Sequence, residues 1–171
     1  MEKVIDFINW DERFILGIPV IDRQHKELVE TTNKLHYACL RNAETANELF
    51  IKTAGKAVEY VKQHFSTEEK MMILFNFSGY KAHKLEHESF IKEILNQSMS
   101  YKGGRQIAPR RFVYFLKDWI LSHIAVCDKR FTSYILSMKE MGKLNDLLTK
   151  RPQLAAHISY EHAPPNMRAA V

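Results

Sequence analysis

The sequence is poor in the residues that break or staple a chain. Its 171 residues hold two cysteines, six glycines and five prolines. Cys39 and Cys127 make no disulfide framework, and both fall in helical patterns where a thiol serves as a small buried hydrophobe. A thiol switch at Cys127, beside Asp128, is the minor alternative. No Gly/Ser-rich stretch marks a linker, so the length gives one domain plus tails. No long apolar run is present either. FVYFLKDWILSHIAVC is interrupted by Lys117, Asp118 and His123, and MEKVIDFINW lacks the basic start and apolar middle of a leader. These absences exclude a membrane span and point to a cytoplasmic protein. Nor is charge of one sign concentrated: the net charge of +5 comes from bases interleaved with acids. The densest group, Lys102, Arg105, Arg110 and Arg111, reads as a solvated turn, so no nucleic-acid partner is expected.

What the chain has instead is helical period. Residues 1–20 form an irregular arm anchored by Trp10, Phe14 and Ile18, with Gly17 and Pro19 as punctuation. Asp22 offers an N-cap to a first helix whose stripe is Ile21, His25, Leu28, Thr32, Leu35 and Cys39. Thr45 and Glu48 form a capping-box pair for a second, with stripe Phe50, Ala54, Ala57, Val61, His64, Glu68, Met71 and Phe75. A third carries Tyr80, His83, His87, Phe90 and Ile94 before Gly103 and Gly104 stop it. Pro109 suits the first turn of a fourth, which runs through Phe112, Leu116, Trp119 and His123. After His123 the stripe resumes five residues on, at Asp128, Phe131, Ile135 and Met138. That step predicts a π-bulge, which would return His123 and Asp128 to one face. Four such helices over residues 21–140 predict an all-α, up-down-up-down antiparallel four-helix bundle. Residues 141–171 read as a short helical turn near Lys143 to Thr149 and a Pro-containing tail or linker.

The inward stripes carry His25, His64, Glu68, His83, His87, His123 and Asp128. One His-x-x-x-Glu pair means little, but burying seven such groups without partners would cost on the order of 2–7 kcal/mol each. A shared cation removes that cost. His64 with Glu68, and His83 with His87, lie one turn apart and project together. Bundle helices lie about 8–10 Å apart, so ligands from four of them can meet on the axis. Seven ligands suit two ions better than one, with Glu68 and Asp128 able to bridge. His36, beside the first stripe, and His157 and His162, in the tail, read as surface or packed residues. Glu69 and Glu86 point off the stripe.

The motifs IDRQHKEL, HFSTEE, HKLEHESF and HIAVCD, with NWDERFILGIPVIDRQH and LKDWILSHI, resemble the hemerythrin family over roughly residues 10–140. The resemblance implies a non-haem pair of iron ions: His83, His87 and His123 on one, His25 and His64 on the other. Glu68, Asp128 and an oxo or hydroxo group would bridge them. Only one ion is then filled, and the other keeps an open position at which dioxygen would bind. Phe65, Trp119 and Val126 are the candidate oxygen-pocket residues by resemblance and by their place beside ligands, ordinary core packing being the other reading of each.

Two ferrous ions, two carboxylates and a hydroxide leave a charge of about +1, which disfavours oxygen cleavage relative to reversible binding. The expected function is therefore dioxygen storage, transport or delivery. An oxygen or redox sensor signalling to a protein partner through the arm or tail is the alternative. A di-iron peroxidase or oxidase comes last, since no acid or base is left to face the pocket.

Overall fold

The computed structural model describes residues 6–103, 108–143 and 149–150. Most of the expected tail, including His157 and His162, lies outside them, as do residues 144–148 of the expected helical turn. The described residues form four antiparallel helical rods and no strand. The first rod is α1, Pro19–Arg41. The second is α2, Ala43–Tyr60, which passes through a wide π-helical turn, Val61–Phe65, into α3, Ser66–Leu74. The third is α4, Tyr80–Lys102. The fourth is α5, Ala108–Trp119, which passes through a second wide segment, Ile120–Asp128, into α6, Lys129–Glu140. Each rod packs on the two that neighbour it around the ring, α1 on α2 and α5, and α4 on α3 and α5. No helix among the described residues is long and apolar enough to cross a membrane.

The helix starts differ from the sequence reading in two places. Asp22 does not cap α1. The helix begins three residues earlier with Pro19 at its first position, where a missing N–H costs nothing. Asp22 is buried in the first turn and reaches back, accepting from the Leu16 N–H at 2.7 Å and the Gly17 N–H at 3.1 Å. It thereby satisfies the bend that Gly17 makes at φ 81°. The Thr45–Glu48 capping box is also absent. Asn42, alone between α1 and α2, accepts from the Thr45 N–H at 2.8 Å and caps α2 three residues earlier than expected.

The two wide turns set the phase of both rods. The second was expected from the five-residue step between His123 and Asp128. The first was not, and it moves the inward face of α2: Thr53 and Tyr60 are buried, while Ala54 and Val61 are only half-buried. The buried order Phe50, Thr53, Ala57, Tyr60, His64, Glu68, Met71 contains two consecutive steps of four, one residue more than a regular stripe allows. An i to i+5 turn takes up that residue.

Apolar layers close the bundle on both sides of the polar residues. Phe50 packs edge-on against Phe112 at 5.3 Å toward one end, and Phe77 packs on Phe131 at 5.3 Å toward the other. The N-terminal arm is fixed to the outside. Ile8 and Asn33 exchange two hydrogen bonds of 2.9 Å, the Ile8 N–H donating to Oδ1 and Nδ2 donating to the Ile8 carbonyl. Phe14 and Ile18 are buried, and Trp10 stacks on Phe14 at 5.6 Å.

Candidate metal centre

All four rods deliver polar side chains to one level of the core. His25 comes from α1, His64 from the first wide turn, Glu68 from α3, His83 and His87 from α4, and His123 and Asp128 from the second wide turn. All seven are buried, Glu68 and Asp128 at 0% exposure. Their ligand atoms form two overlapping nests, each with its atoms within 4.8 Å of one another. One holds Glu68, His83, His87, His123 and Asp128; the other holds His25, His64, Glu68 and Asp128. The carboxylates are common to both. Asp128 Oδ1 lies 3.1 Å from both His83 Nε2 and His123 Nε2, while Oδ2 lies 3.1 Å from His25 Nε2. Glu68 Oε2 lies 3.3–3.4 Å from His64, His83 and His87 Nε2.

These spacings fit ligands around a cation. Nε2 atoms of neighbouring imidazoles lie 3.1 Å apart for His83 with His87 and with His123, and 3.2 Å apart for His25 with His64. Two ligands bonded at about 2.1 Å and set at right angles are about 3.0 Å apart; at the tetrahedral angle they are about 3.4 Å apart. Both oxygens of Glu68 and of Asp128 are buried without any hydrogen bond, a large cost unless a cation lies between them.

Electrostatics tells the same story for the metal-free cluster. Burial pushes the His83 and His123 imidazoliums down, but the Asp128 and Glu68 carboxylates outweigh it and raise them to about 9 and about 10. Burial and the charge of Asp128 push the Glu68 carboxyl up, yet His64, His83 and His87 hold it down at about 2. Asp128 is held well below the usual range, its burial outweighed by His123 first. Burial keeps His64 below its ordinary value. Two imidazoliums thus face two carboxylates.

Other side chains orient this set. His64 Nδ1 lies 3.1 Å from Gln24 Oε1, and His87 Nδ1 lies 3.1 Å from Glu69 Oε1. An amide oxygen or carboxylate can only accept, so each Nδ1 carries the hydrogen and each Nε2 lone pair faces inward. Glu69 lies off the inward stripe, half-buried, and touches the cluster only through His87, and Glu86 is exposed. Gln24 gave no signal in the sequence, because it reaches the cluster sideways from the residue before His25.

Phe65 stacks on His87 with ring centres 3.7 Å apart, and Trp119 stacks on His123 at 3.9 Å. Val126 does not join them. It is 52% exposed, because the extra residue in the wide segment turns Ile124 inward and carries Val126 to the surface. His36 is not in the cluster; it stacks on Phe7 at 3.9 Å. Cys39 and Cys127 are both half-buried and unbridged.

The Hemerythrin HHE cation binding domain profile matches residues 16–135. The chain belongs to the hemerythrin family. Its hemerythrin relatives include a bacteriohemerythrin of Clostridium acetobutylicum, 31% identical over 132 residues, covering 71% of this chain and 96% of that protein. Another, from Stenotrophomonas maltophilia, is 29% identical and covers 74% and 80%. A myohemerythrin of Sipunculus nudus is 29% identical and covers 71% and 88%. A crystal structure of a hemerythrin mutant superposes with a TM-score of 0.62 at 25% identity, covering 76% of this chain and 98% of the other.

Proposed function

We propose that the two nests hold a pair of iron ions and that the protein binds dioxygen reversibly, as a store or carrier. His83, His87 and His123 would hold one ion and His25 and His64 the other, with Glu68 and Asp128, common to both nests, shared between them. The observation that carries this reading is the split of Asp128: Oδ1 faces His83 and His123, Oδ2 faces His25 and His64, and the two nests that share it hold three imidazoles and two. Unequal sets would leave one ion with a free position, and the chemistry such a pair would supply there is electron donation to a small ligand.

The chain's own residues determine the rest. Gln24 and Glu69 hold His64 and His87 in the tautomer that turns Nε2 inward. Phe65 and Trp119 cover the His87 and His123 rings and keep water from that side. Both inward carboxylates are occupied by the metal pair, so no acid or base remains for turnover. This favours binding over an enzymatic reaction.

The test is absorption spectroscopy of reduced, iron-loaded protein cycled between argon and air, with metal analysis of the same sample. Two irons per chain and a visible band that comes and goes over several cycles are expected. One iron per chain, or zinc in its place, would remove the paired site; immediate irreversible oxidation would remove the carrier role.

A further inference from the structure

The cluster is closed off at both ends of the bundle and reaches a cleft at one flank. Aromatic pairs close the ends, and six of the seven cluster residues are no more than 1% exposed. His83 is the exception at 5%. It forms part of the wall of a cleft of about 170 Å³, which it shares with Phe77, Ala82, Glu86, Cys127 and Arg130. Its Nε2 lies 3.1 Å from Asp128 Oδ1 and 3.3 Å from Glu68 Oε2. One imidazole therefore stands in the cleft wall and reaches both carboxylates.

Two rods face each other across this cleft. α4 supplies His83 and Glu86; the fourth rod supplies Cys127, near the end of its wide segment, and Arg130, in the first turn of α6. Each pair is three residues apart, and residues at that spacing share a helix face. Glu86 is exposed, Cys127 half-buried and His83 buried, so three groups able to bind metal are graded from water to core. A divalent cation sheds its water on the way into a buried site. That loss is costly unless carboxylate, sulfur or imidazole replaces the water step by step. Arg130 repels a cation at the same mouth, so the cleft carries one charge of each sign.

We propose that this cleft is the route by which a divalent cation passes between water and the buried cluster. Glu86 draws the ion from water, and His83 receives it at the inner wall with the Cys127 sulfur beside it. The proposal rests on the iron-pair reading above, and metal content reports separately on that reading.

The probe is isotopically labelled ferrous ion, added in excess under argon to the reduced, iron-loaded full chain. Mass spectrometry of the protein-held metal gives the exchange rate and the metal content together. Glu86→Gln should slow exchange and Arg130→Gln should speed it, each by about five- to tenfold, the effect of one charge close to the path of a dication. Ala82→Trp, a bulky side chain placed at an exposed position of the wall, should also slow it. Glu88→Gln removes an exposed carboxylate of α4 that does not line the cleft, and it should exchange at the wild-type rate. All four variants should hold as much iron as wild type. Wild-type rates in E86Q and R130Q, or shifts of the same sign in both, would overturn the proposal. So would an A82W rate equal to wild type, or an E88Q rate as slow as that of E86Q. A lower iron content in E86Q would overturn it as well, because Glu86 would then hold resident metal. A wild type lacking two irons would instead overturn the reading on which the proposal rests.

Discussion

Gln24 decides which nitrogen of His64 faces inward, although it offers no ligand atom to the cluster. Gln24→Leu should keep the fold and weaken metal binding by about 10–100-fold, read by competition with a chelator. Asp22 can be tested in the same way for its structural part. Its carboxyl is pushed up by burial and held in place by two backbone N–H groups. Asp22→Ala strands both, and about 2 kcal/mol should be lost, lowering the melting temperature by roughly 4–8 °C. Protons supply a third test. His83 and His123, raised to about 9 and about 10, keep their protons at neutral pH when no metal is present. Metal must displace them, so loading at pH 7 should release about two protons per chain into weak buffer, and affinity should rise with pH. The sign reverses for the stability of the metal-free fold. These imidazoliums stabilise it fully below the ordinary histidine range, and their contribution is lost as pH rises through about 9 to 10. Glu68, held down at about 2, contributes above the ordinary carboxylate range and loses its part as pH falls toward 2.

At the scale of an element, the wide turns determine whether the cluster forms. Deleting Ala125 would restore a regular turn between His123 and Asp128 and rotate α6 by about 100° relative to α5. The variant should remain helical by circular dichroism and lose most of its capacity to bind metal. The turn between α3 and α4 is tight for another reason: a Cβ at Gly79 would lie 2.6 Å from the Phe77 ring, which packs on Phe131 and Tyr134. Gly79→Ala should therefore cost about 1–3 kcal/mol, seen as an earlier urea midpoint with unchanged slope. How much of this was legible in the sequence differs between the two wide turns. The five-residue gap from His123 to Asp128 exposed one, because both residues are unusual on an apolar stripe. The other was hidden, because Ala54 and Val61 complete an unbroken four-three pattern, which the buried Thr53 and Tyr60 do not. Only contacts across the bundle choose between them. The seven cluster residues were legible since each interrupts a stripe with a group that burial penalises. Gln24 was not, and Val126 was misplaced, because adjacency in sequence does not say which way a π-turn rotates its neighbours.

For the whole molecule, the polar level divides one core into two apolar halves, and what fills it couples them. Removing metal leaves the two buried carboxylates balanced only by protons on the surrounding imidazoles, so chelation should lower the melting temperature and broaden the transition. An unchanged transition would mean that the halves hold together unaided. The wide turns add a dimension of time. Each is one surplus residue in a helix, and a surplus residue has no intrinsic address: it can slide along the rod by exchanging one set of weak amide bonds for the next. Side chains from the other rods, meeting at a common centre, are what pin it. Amides of Val61–Phe65 and Ile120–Asp128 should consequently exchange with deuterium far faster in the chelated protein than in the loaded one, while those of α4, which carries no such surplus, change least.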